Sequence, residues 1–167
     1  DSLSKVAGTA HTVTRSLQEQ ASRLLATGFG TGFLWPAPGT WGSLLGVALF
    51  VLFLAPLDWR WQLAASIGFM ILGTIAAEVA VLELESDDPS WIVVDEWAGM
   101  WLSMVAIQGA SGWMLAFFLF RTFDILKPFP AGRFEQLQGG VGIMADDVVA
   151  AGYTQVAVHA ALWAFGI

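Results

Sequence analysis

The chain has 167 residues, a net charge of −7 at pH 7 and a hydrophobic fraction of 56%, with only 13% charged residues. This composition, with a mean hydropathy of +0.66, is typical of a membrane protein and fits a single domain. The absence of cysteine excludes disulfides and thiolate metal sites, the presence of only two histidines excludes a histidine-rich metal site, and the acidic balance argues against nucleic acid as a partner.

The first 26 residues are the most polar part of the chain. Leu17, Ala21, Leu24 and Leu25 recur at helical spacing, with charged and amide side chains around the rest of the helix. This pattern predicts a short amphipathic helix that lies on a surface, within an N-terminal region of residues 1–27. No signal-peptide pattern opens the chain, so we expect no signal peptide.

A stretch rich in glycine and proline follows, from Gly28 to Gly42, and its many helix-breaking residues predict a loop. The turn Gly39-Thr-Trp-Gly-Ser43 opens the next apolar segment. Its N–H groups and the hydroxyls of Thr40 and Ser43 would suit a phosphate group, although this signal is not specific by itself. The turn is not a Walker A loop, because no lysine precedes Ser43.

Five apolar segments predict helices, because they are long, rich in Ala, Leu and Met, and lack the period-two alternation of strands. The first and fourth have about 15 residues and would reach only ~22 Å, which leaves buried helices of a soluble protein as an alternative. The five segments cover residues 43–57, 61–82, 91–108, 113–126 and 146–165.

Two patterns of residue placement favour membrane helices. If the helices alternate in direction, one side carries most of the Lys and Arg residues and the other only Arg60, which places the basic side in the cytoplasm. Tryptophans also collect near both ends of the predicted helices, as expected at membrane interfaces. We therefore expect an all-α fold, a polytopic membrane helical bundle with about five apolar helices plus the N-terminal amphipathic helix.

Acidic clusters stand at the cytoplasmic ends of three predicted helices. Carboxylates in apolar surroundings are normally paired or coordinate a metal, because an uncompensated charge there is costly. The simplest explanation is a divalent cation that is held by oxygen ligands and faces an anionic group. The clusters are Asp88 with Asp95 and Glu96, then Asp124, then Asp146 with Asp147.

The first cluster also has a structural explanation. Asp88 before Pro89 looks like a helix start, where the aspartate would cap the helix and the proline would occupy its first position. Asp95 and Glu96 enter the apolar part of the same segment, where they could instead form structural ion pairs.

The later clusters leave similar alternatives. Arg121, Asp124 and Lys127 are three residues apart and project from one side of a helix, where they could bind phosphate or form a salt-bridge ladder. Asp146 and Asp147 follow a glycine-rich loop, where they could cap the last helix or ligate a metal.

A series of short strings runs along the chain, namely Gly28-Phe-Gly-Thr-Gly32, Pro38-Gly-Thr-Trp-Gly-Ser43, Asp88, Val94-Asp-Glu96 with Gly99-Met-Trp101, Arg121 with Asp124 and Lys127-Pro-Phe-Pro130, Gly139-Gly with Gly142-Ile-Met, and Asp146-Asp-Val-Val-Ala150. Together these strings resemble the phosphatidylglycerophosphatase A family of bacterial membrane phosphatases. The resemblance covers about residues 28 to 152, and Thr122 and Ala151 depart from the family pattern at positions that touch no expected ligand.

The resemblance implies an all-α, Mg²⁺-dependent enzyme of phospholipid biosynthesis. Such an enzyme removes the terminal phosphate from phosphatidylglycerophosphate and leaves phosphatidylglycerol. It also implies that residues 28–167 form one catalytic domain in the bacterial inner membrane, multi-pass, with the active site facing the cytoplasm. No oligomeric state follows from the sequence.

The hypothesis that joins both lines of inference is metal-assisted hydrolysis of a phosphomonoester. The carboxylates would hold one or two Mg²⁺ ions, and the basic and hydroxyl side chains would bind the substrate phosphate. The expected catalytic metal ligands are Asp95, Glu96, Asp146 and Asp147, the further metal ligands are Asp88 and Asp124, and the substrate-binding residues are Thr40, Ser43, Arg121 and Lys127.

A small membrane transporter or ion-coupled carrier is the alternative from another functional class, with the carboxylates as its relay. Against it, the acids lie at helix ends rather than near the midplane, and no inverted repeat is visible. A phosphoryl-alcohol transferase is disfavoured because its Asp-Gly-x-x-Ala-Arg string is absent.

Overall fold

The computed structural model describes residues 16–84, 90–134 and 137–165. Within these ranges the chain is helical and contains no strand, so the prediction of an all-α fold is confirmed. The helices are α1 (residues 16–26), α2 (Pro38–Leu49), α3 (Trp59–Leu84), α4 (Val94–Met104), α5 (Gly109–Leu126), α6 (Ala131–Phe134) and α7 (Gly139–Phe165).

Helix α2 begins inside the stretch for which the sequence predicts a loop. Pro38 occupies its first turn, where the missing proline N–H would have no intrahelical partner in any case. A 3₁₀ turn, Thr31–Phe33, occupies another part of the same stretch, and a π-helical turn, Phe50–Leu54, prolongs α2. The loop prediction is therefore wrong for residues 31–33 and 38–42. At Pro38 the reason is that a proline at the start of a helix does not break it.

Helix α4 begins at Val94, so the helix start predicted at residues 88–89 is not where this helix begins. Asp88 itself lies outside the described residues. The helix ends at Met104, earlier than the apolar segment, because Val105 leaves the helical conformation with a ψ of 132° and Ala106 has a positive φ of 61°.

Helix α7 begins at Gly139, seven residues before the predicted start at Asp146. Asp146 and Asp147 consequently lie two turns inside the helix, where no free N–H groups remain to be capped. The alternative explanation of this doublet as a helix cap is therefore wrong. The short helix α6 likewise occupies part of the predicted loop before α7.

Helix α4 lies at the centre of the molecule, in contact with α2, α3, α5 and α7. Its Met100 and Met104 pack with Phe120 in one apolar cluster, and its Val94 and Ala98 belong to a second. The surrounding helices thus bury the short helix almost completely and fix the position of its N-terminus.

Two of the described helices are long and apolar enough to cross a membrane, over Trp59–Leu82 in α3 and Gly139–Phe165 in α7. Helix α4, with 11 residues, is only about 16 Å long and would not span a ~30 Å hydrocarbon core by itself. The predicted number of about five membrane helices therefore stays a prediction.

Candidate active site

Five of the predicted carboxylates lie together at one end of the bundle. Asp95 and Glu96 occupy the first turn of α4, Asp124 lies in the last turn of α5, and Asp146 and Asp147 lie on α7. The three helices contact one another, so residues that are distant in the sequence meet at this point.

Small residues allow the three helices to approach closely here. A Cβ atom on Gly99 of α4 would lie 2.7 Å from the ring of Phe120 on α5 and 3.1 Å from Cβ of Asp147 on α7. A larger residue at this position would therefore separate α4 from the helix that carries Asp147.

The carboxylates form two groups with the spacing of a cation site. One ligand oxygen from each of Asp95, Glu96 and Asp147 can be chosen so that all lie within 4.8 Å of one another, and the same holds for Asp124, Asp146 and Asp147. Oxygen ligands on opposite sides of a hard divalent cation are about 4 to 5 Å apart. Because Asp147 belongs to both groups, the arrangement could hold one ion or two neighbouring ions.

Several oxygens of these carboxylates have no hydrogen-bond partner among the described residues. They are Oδ1 of Asp95, Oε2 of Glu96 and both side-chain oxygens of Asp147, and all are buried. Buried charged oxygens without a partner are strongly unfavourable, and a bound cation would remove this cost. The donor set thus fits a metal ion on chemical as well as geometric grounds.

Two basic side chains face the carboxylates. Nη1 of Arg121 lies 2.8 Å from Oδ2 of Asp124 and 3.9 Å from Oε1 of Glu96. Nζ of Lys127 lies 2.8 Å from Oδ2 of Asp146. The Arg121–Asp124 ion pair agrees with the salt bridge that was one of the two predicted roles of these residues. The same ion pair holds the guanidinium beside the acidic groups.

The N-terminus of α2 completes this end of the bundle. A Cβ atom on Gly39 would overlap Oε1 of Glu96 and lie 3.1 Å from Nη2 of Arg121, so a larger residue there would displace the Glu96 carboxylate. The hydroxyl of Ser43 donates a hydrogen bond to the Gly39 carbonyl at 2.9 Å and accepts one from Nη1 of Arg121 at 3.3 Å. Ser43 is fully buried and orients Arg121, whereas Thr40 is half-buried on the same turn.

A cavity of about 210 Å³ opens among α4, α5 and α7. Its volume suits a phosphate with part of a headgroup rather than a whole lipid, since pockets for drug-sized ligands have about 300–1,000 Å³. Its polar wall includes Asp95, Glu96, Asp124, Asp146 and Lys127, and its apolar wall includes Ile92, Leu137 and Ile143.

Glu78 has no predicted role in the sequence, although the structure connects it to this region. The backbone N–H of Gly140, in the first turn of α7, donates a hydrogen bond of 2.6 Å to Oε2 of Glu78 on α3. The signal that could have revealed Glu78 is a single carboxylate inside the apolar segment 61–82.

Comparison with known proteins identifies relatives that cover most of the chain. The family model of phosphatidylglycerophosphatase A matches residues 24–162. A phosphatidylglycerophosphatase A of Haemophilus influenzae is 45% identical over 140 residues, which cover 82% of this chain and 86% of the relative. The phosphatidylglycerophosphatase A of Escherichia coli is 37% identical over 131 residues, which cover 76% of this chain and 75% of the relative.

A third relative carries a different name. A Bacteroides thetaiotaomicron protein named "putative phosphatidylinositol-3-phosphatase" is 39% identical over 150 residues, which cover 86% of this chain and 94% of the relative. No solved structure matches the chain. From the family match and these identities, we conclude that the chain belongs to the phosphatidylglycerophosphatase A family of lipid phosphatases.

Proposed function

We propose that the acidic cavity is the active site at which this phosphatidylglycerophosphatase removes the terminal phosphate of its lipid substrate with the help of Mg²⁺. The activity follows from membership of the family. The observation that carries the assignment of the site is the cluster of buried carboxylate oxygens without hydrogen-bond partners beside two basic side chains. A site for metal-assisted phosphomonoester hydrolysis needs both a cation-binding and a phosphate-binding part.

The residues that would hold the cation are the two groups that share Asp147, namely Asp95, Glu96 and Asp147, and Asp124, Asp146 and Asp147. All of these ligands are carboxylates, which suit Mg²⁺ better than softer metals. When bound, Mg²⁺ would activate a water molecule and offset charge on the phosphate oxygens. Asp88 stays a predicted further ligand.

The basic residues would bind the phosphate that undergoes hydrolysis. Arg121 is held by Ser43 and Asp124, so its guanidinium can present N–H groups to phosphate oxygens with little loss of entropy. Lys127 borders the cavity and would offset a further negative charge. Thr40 would add a donor from α2, while Ser43 would act through Arg121.

The reaction breaks the bond between phosphorus and the glycerol oxygen and forms one between phosphorus and a water oxygen. A carboxylate of the cluster would accept the proton that the water loses, and the departing glycerol oxygen would take up a proton. On the apolar side of the cavity, the buried side chains of Ile92 and Ile143 face the reacting groups.

The membrane placement of this site is also a proposal. The chain would form a multi-pass bundle of about five helices in the bacterial inner membrane, with the acidic end in the cytoplasm and residues 28–167 as the catalytic domain. Helices α3 and α7 support this arrangement by length and hydropathy. On α1, Leu17 and Leu24 are exposed, which is consistent with an interfacial helix within residues 1–27.

Phosphate release by the purified protein tests the proposal. In detergent with phosphatidylglycerophosphate, activity should require Mg²⁺, disappear with EDTA and return when Mg²⁺ is restored. Asp147→Asn should lower kcat at least about 100-fold, since electrostatic groups of this kind contribute several kcal/mol. The control Asp58→Asn changes an exposed residue near the start of α3 and should retain wild-type kcat.

Phosphatidylinositol 3-phosphate is the comparison substrate, because the Bacteroides relative is named for it. We expect a higher kcat/KM with phosphatidylglycerophosphate. Full activity in EDTA, or an active Asp147→Asn variant, would refute the proposed metal site while leaving the family assignment intact.

A further inference from the structure

Glu78 caps a helix to which it does not belong. Its Oε2 accepts the 2.6 Å hydrogen bond from the N–H of Gly140, at the start of α7. The first N–H groups of a helix have no intrahelical partner, and a carboxylate there is favoured by the helix dipole. The residue before α7 is Gln138, which is not a preferred capping type, so α3 supplies the cap instead.

The start of α7 is shaped to fit this carboxylate. Gly139 has a φ of 70°, and a Cβ atom there would overlap Oε2 of Glu78. A Cβ atom on Gly140 would overlap the Thr74 carbonyl and lie 2.7 Å from the backbone nitrogen of Glu78. The two glycines therefore bring the backbone of α7 against α3 at a single place.

The capped turn and the acidic cavity share one rigid helix. Asp147 follows Gly140 by seven residues, which is about two turns, so the two positions lie on the same face of α7 roughly 10 Å apart. Met144, between them, packs against Gly73 of α3, where a Cβ atom would lie 3.2 Å from its Cε. A shift or rotation at the cap would consequently move Asp146 and Asp147.

We propose that Glu78 is a positioning residue for the active site, which sets the axial position and rotation of α7 so that Asp146 and Asp147 meet the carboxylates of α4 and α5. This inference rests on the proposed function of the acidic cavity. Glu78 belongs to neither carboxylate group and does not line the cavity, so it would act through α7 rather than on the substrate.

Paired substitutions separate this role from a general contribution to folding. Glu78→Gln keeps an oxygen acceptor for the Gly140 N–H, whereas Glu78→Ala removes it. We expect Glu78→Ala to lower kcat about 10- to 100-fold, because small misplacements of catalytic groups have effects of this size. Glu78→Gln should keep kcat within about threefold of the wild-type value, since only the charge of the cap is lost.

A second readout does not depend on turnover. Mn²⁺ binding to the substrate-free protein, followed by electron paramagnetic resonance, should weaken in Glu78→Ala and recover in Glu78→Gln. Glu78→Asp keeps the charge but shortens the side chain by one methylene, so it should weaken Mn²⁺ binding to an intermediate degree. It is the variant to use if Glu78→Ala does not fold.

Gln62→Ala is the matched control, because Gln62 joins elements at the opposite end of α3. Its Nε2 donates to the carbonyls of Leu54 and Leu57 at 3.3 and 3.0 Å, and its Oε1 accepts from the N–H of Ala106 at 2.9 Å. This variant should lower the melting temperature while Mn²⁺ affinity and kcat stay at wild-type values.

Two results would overturn the inference. One is wild-type kcat and Mn²⁺ affinity in Glu78→Ala, and the other is an equal loss of Mn²⁺ affinity in Gln62→Ala. If the wild-type protein neither binds Mn²⁺ nor requires Mg²⁺, the proposed metal site fails, and the ratio of kcat between Glu78→Ala and Glu78→Gln then decides the role of Glu78.

Discussion

Asp147 is the residue on which the candidate active site depends most. It belongs to both carboxylate groups, is only 2% exposed, and has no hydrogen-bond partner for either side-chain oxygen among the described residues. Asp124 and Asp146 each have a basic neighbour at 2.8 Å, in Arg121 and Lys127. A cation would therefore satisfy Asp147 more than any other member of the cluster.

Replacing this carboxylate should affect stability and activity in opposite directions. Without divalent ions, Asp147→Asn should be at least as stable as the wild type and up to a few kcal/mol more stable, because an uncompensated buried charge is removed. Mg²⁺ should raise the melting temperature of the wild type but not of the variant. Thermal unfolding with and without EDTA measures both effects, and a variant that unfolds earlier in EDTA would contradict this account of Asp147.

Arg121 and Ser43 should differ in their effects on substrate binding. Arg121→Lys keeps the charge but loses the planar fork, so KM should rise about 10-fold or more. Ser43→Ala removes only the hydroxyl that accepts a hydrogen bond from Nη1 of Arg121. KM should therefore rise only about 2- to 10-fold, as expected for the loss of one hydrogen bond. Steady-state kinetics on the lipid substrate would check that KM rises more in Arg121→Lys than in Ser43→Ala. A larger rise in Ser43→Ala would indicate that the Ser43 hydroxyl binds substrate directly.

At the scale of the elements, glycines fix how closely α2 and α7 approach their neighbours. Gly39 brings the start of α2 against Glu96, and Gly140 brings the start of α7 against α3. Both helices begin within stretches that look like loops in the sequence. Gly39 leaves room for a side chain of α4 and Gly140 leaves room for the backbone of α3, which a list of helix-breaking residues does not reveal.

Gly39→Ala should therefore disturb the site through the packing of α2. The added methyl group would overlap Oε1 of Glu96, so we expect a loss of about 1–3 kcal/mol in stability together with reduced kcat. Gly68→Ala is the matched control on α3, because nothing lies within 4 Å of its added Cβ atom. The control should be neutral or slightly stabilising, as alanine is the better helix former. Equal effects of the two substitutions on kcat would contradict this role of Gly39.

At the scale of the whole molecule, hydropathy and periodicity predicted the class of fold but not all helix boundaries. Apolar segments with helical composition predicted an all-α chain, and the described residues confirm it. The start of α2 was missed because Pro38 occupies the first turn of the helix, and the start of α7 was missed because Glu78 of α3 caps it. The shortness of α4 depends on the positive φ of Ala106, whose N–H is held by Gln62, 44 residues away.

The acidic residues of the candidate site could be predicted from the sequence, but the contacts that position its other residues could not. Residue type and order pointed to Asp95, Glu96, Asp124 and the last aspartate doublet, which lie together in the structure. The burial of Ser43 and the cap formed by Glu78 could not be predicted, because each depends on a contact between distant helices.

The proposed membrane topology makes a prediction for the whole chain. The chain contains no cysteine, so single cysteines introduced at Asp58 and Leu137 can be labelled without background. In intact cells an impermeant maleimide should label residue 58 and not residue 137, which should react only after the membrane is made permeable. Labelling of both positions from the outside would contradict the cytoplasmic placement of the acidic end.

The proposed mechanism requires that carboxylates from α4, α5 and α7 bind a divalent cation beside Arg121 and Lys127. Anomalous scattering from crystals of the wild-type enzyme grown with Mn²⁺ tests it most directly. We expect a peak within ligand distance of Asp147 and at least two of its four carboxylate neighbours, Asp95, Glu96, Asp124 and Asp146. An active, Mn²⁺-saturated enzyme whose anomalous peak lies elsewhere, with these side chains free of metal, would contradict it.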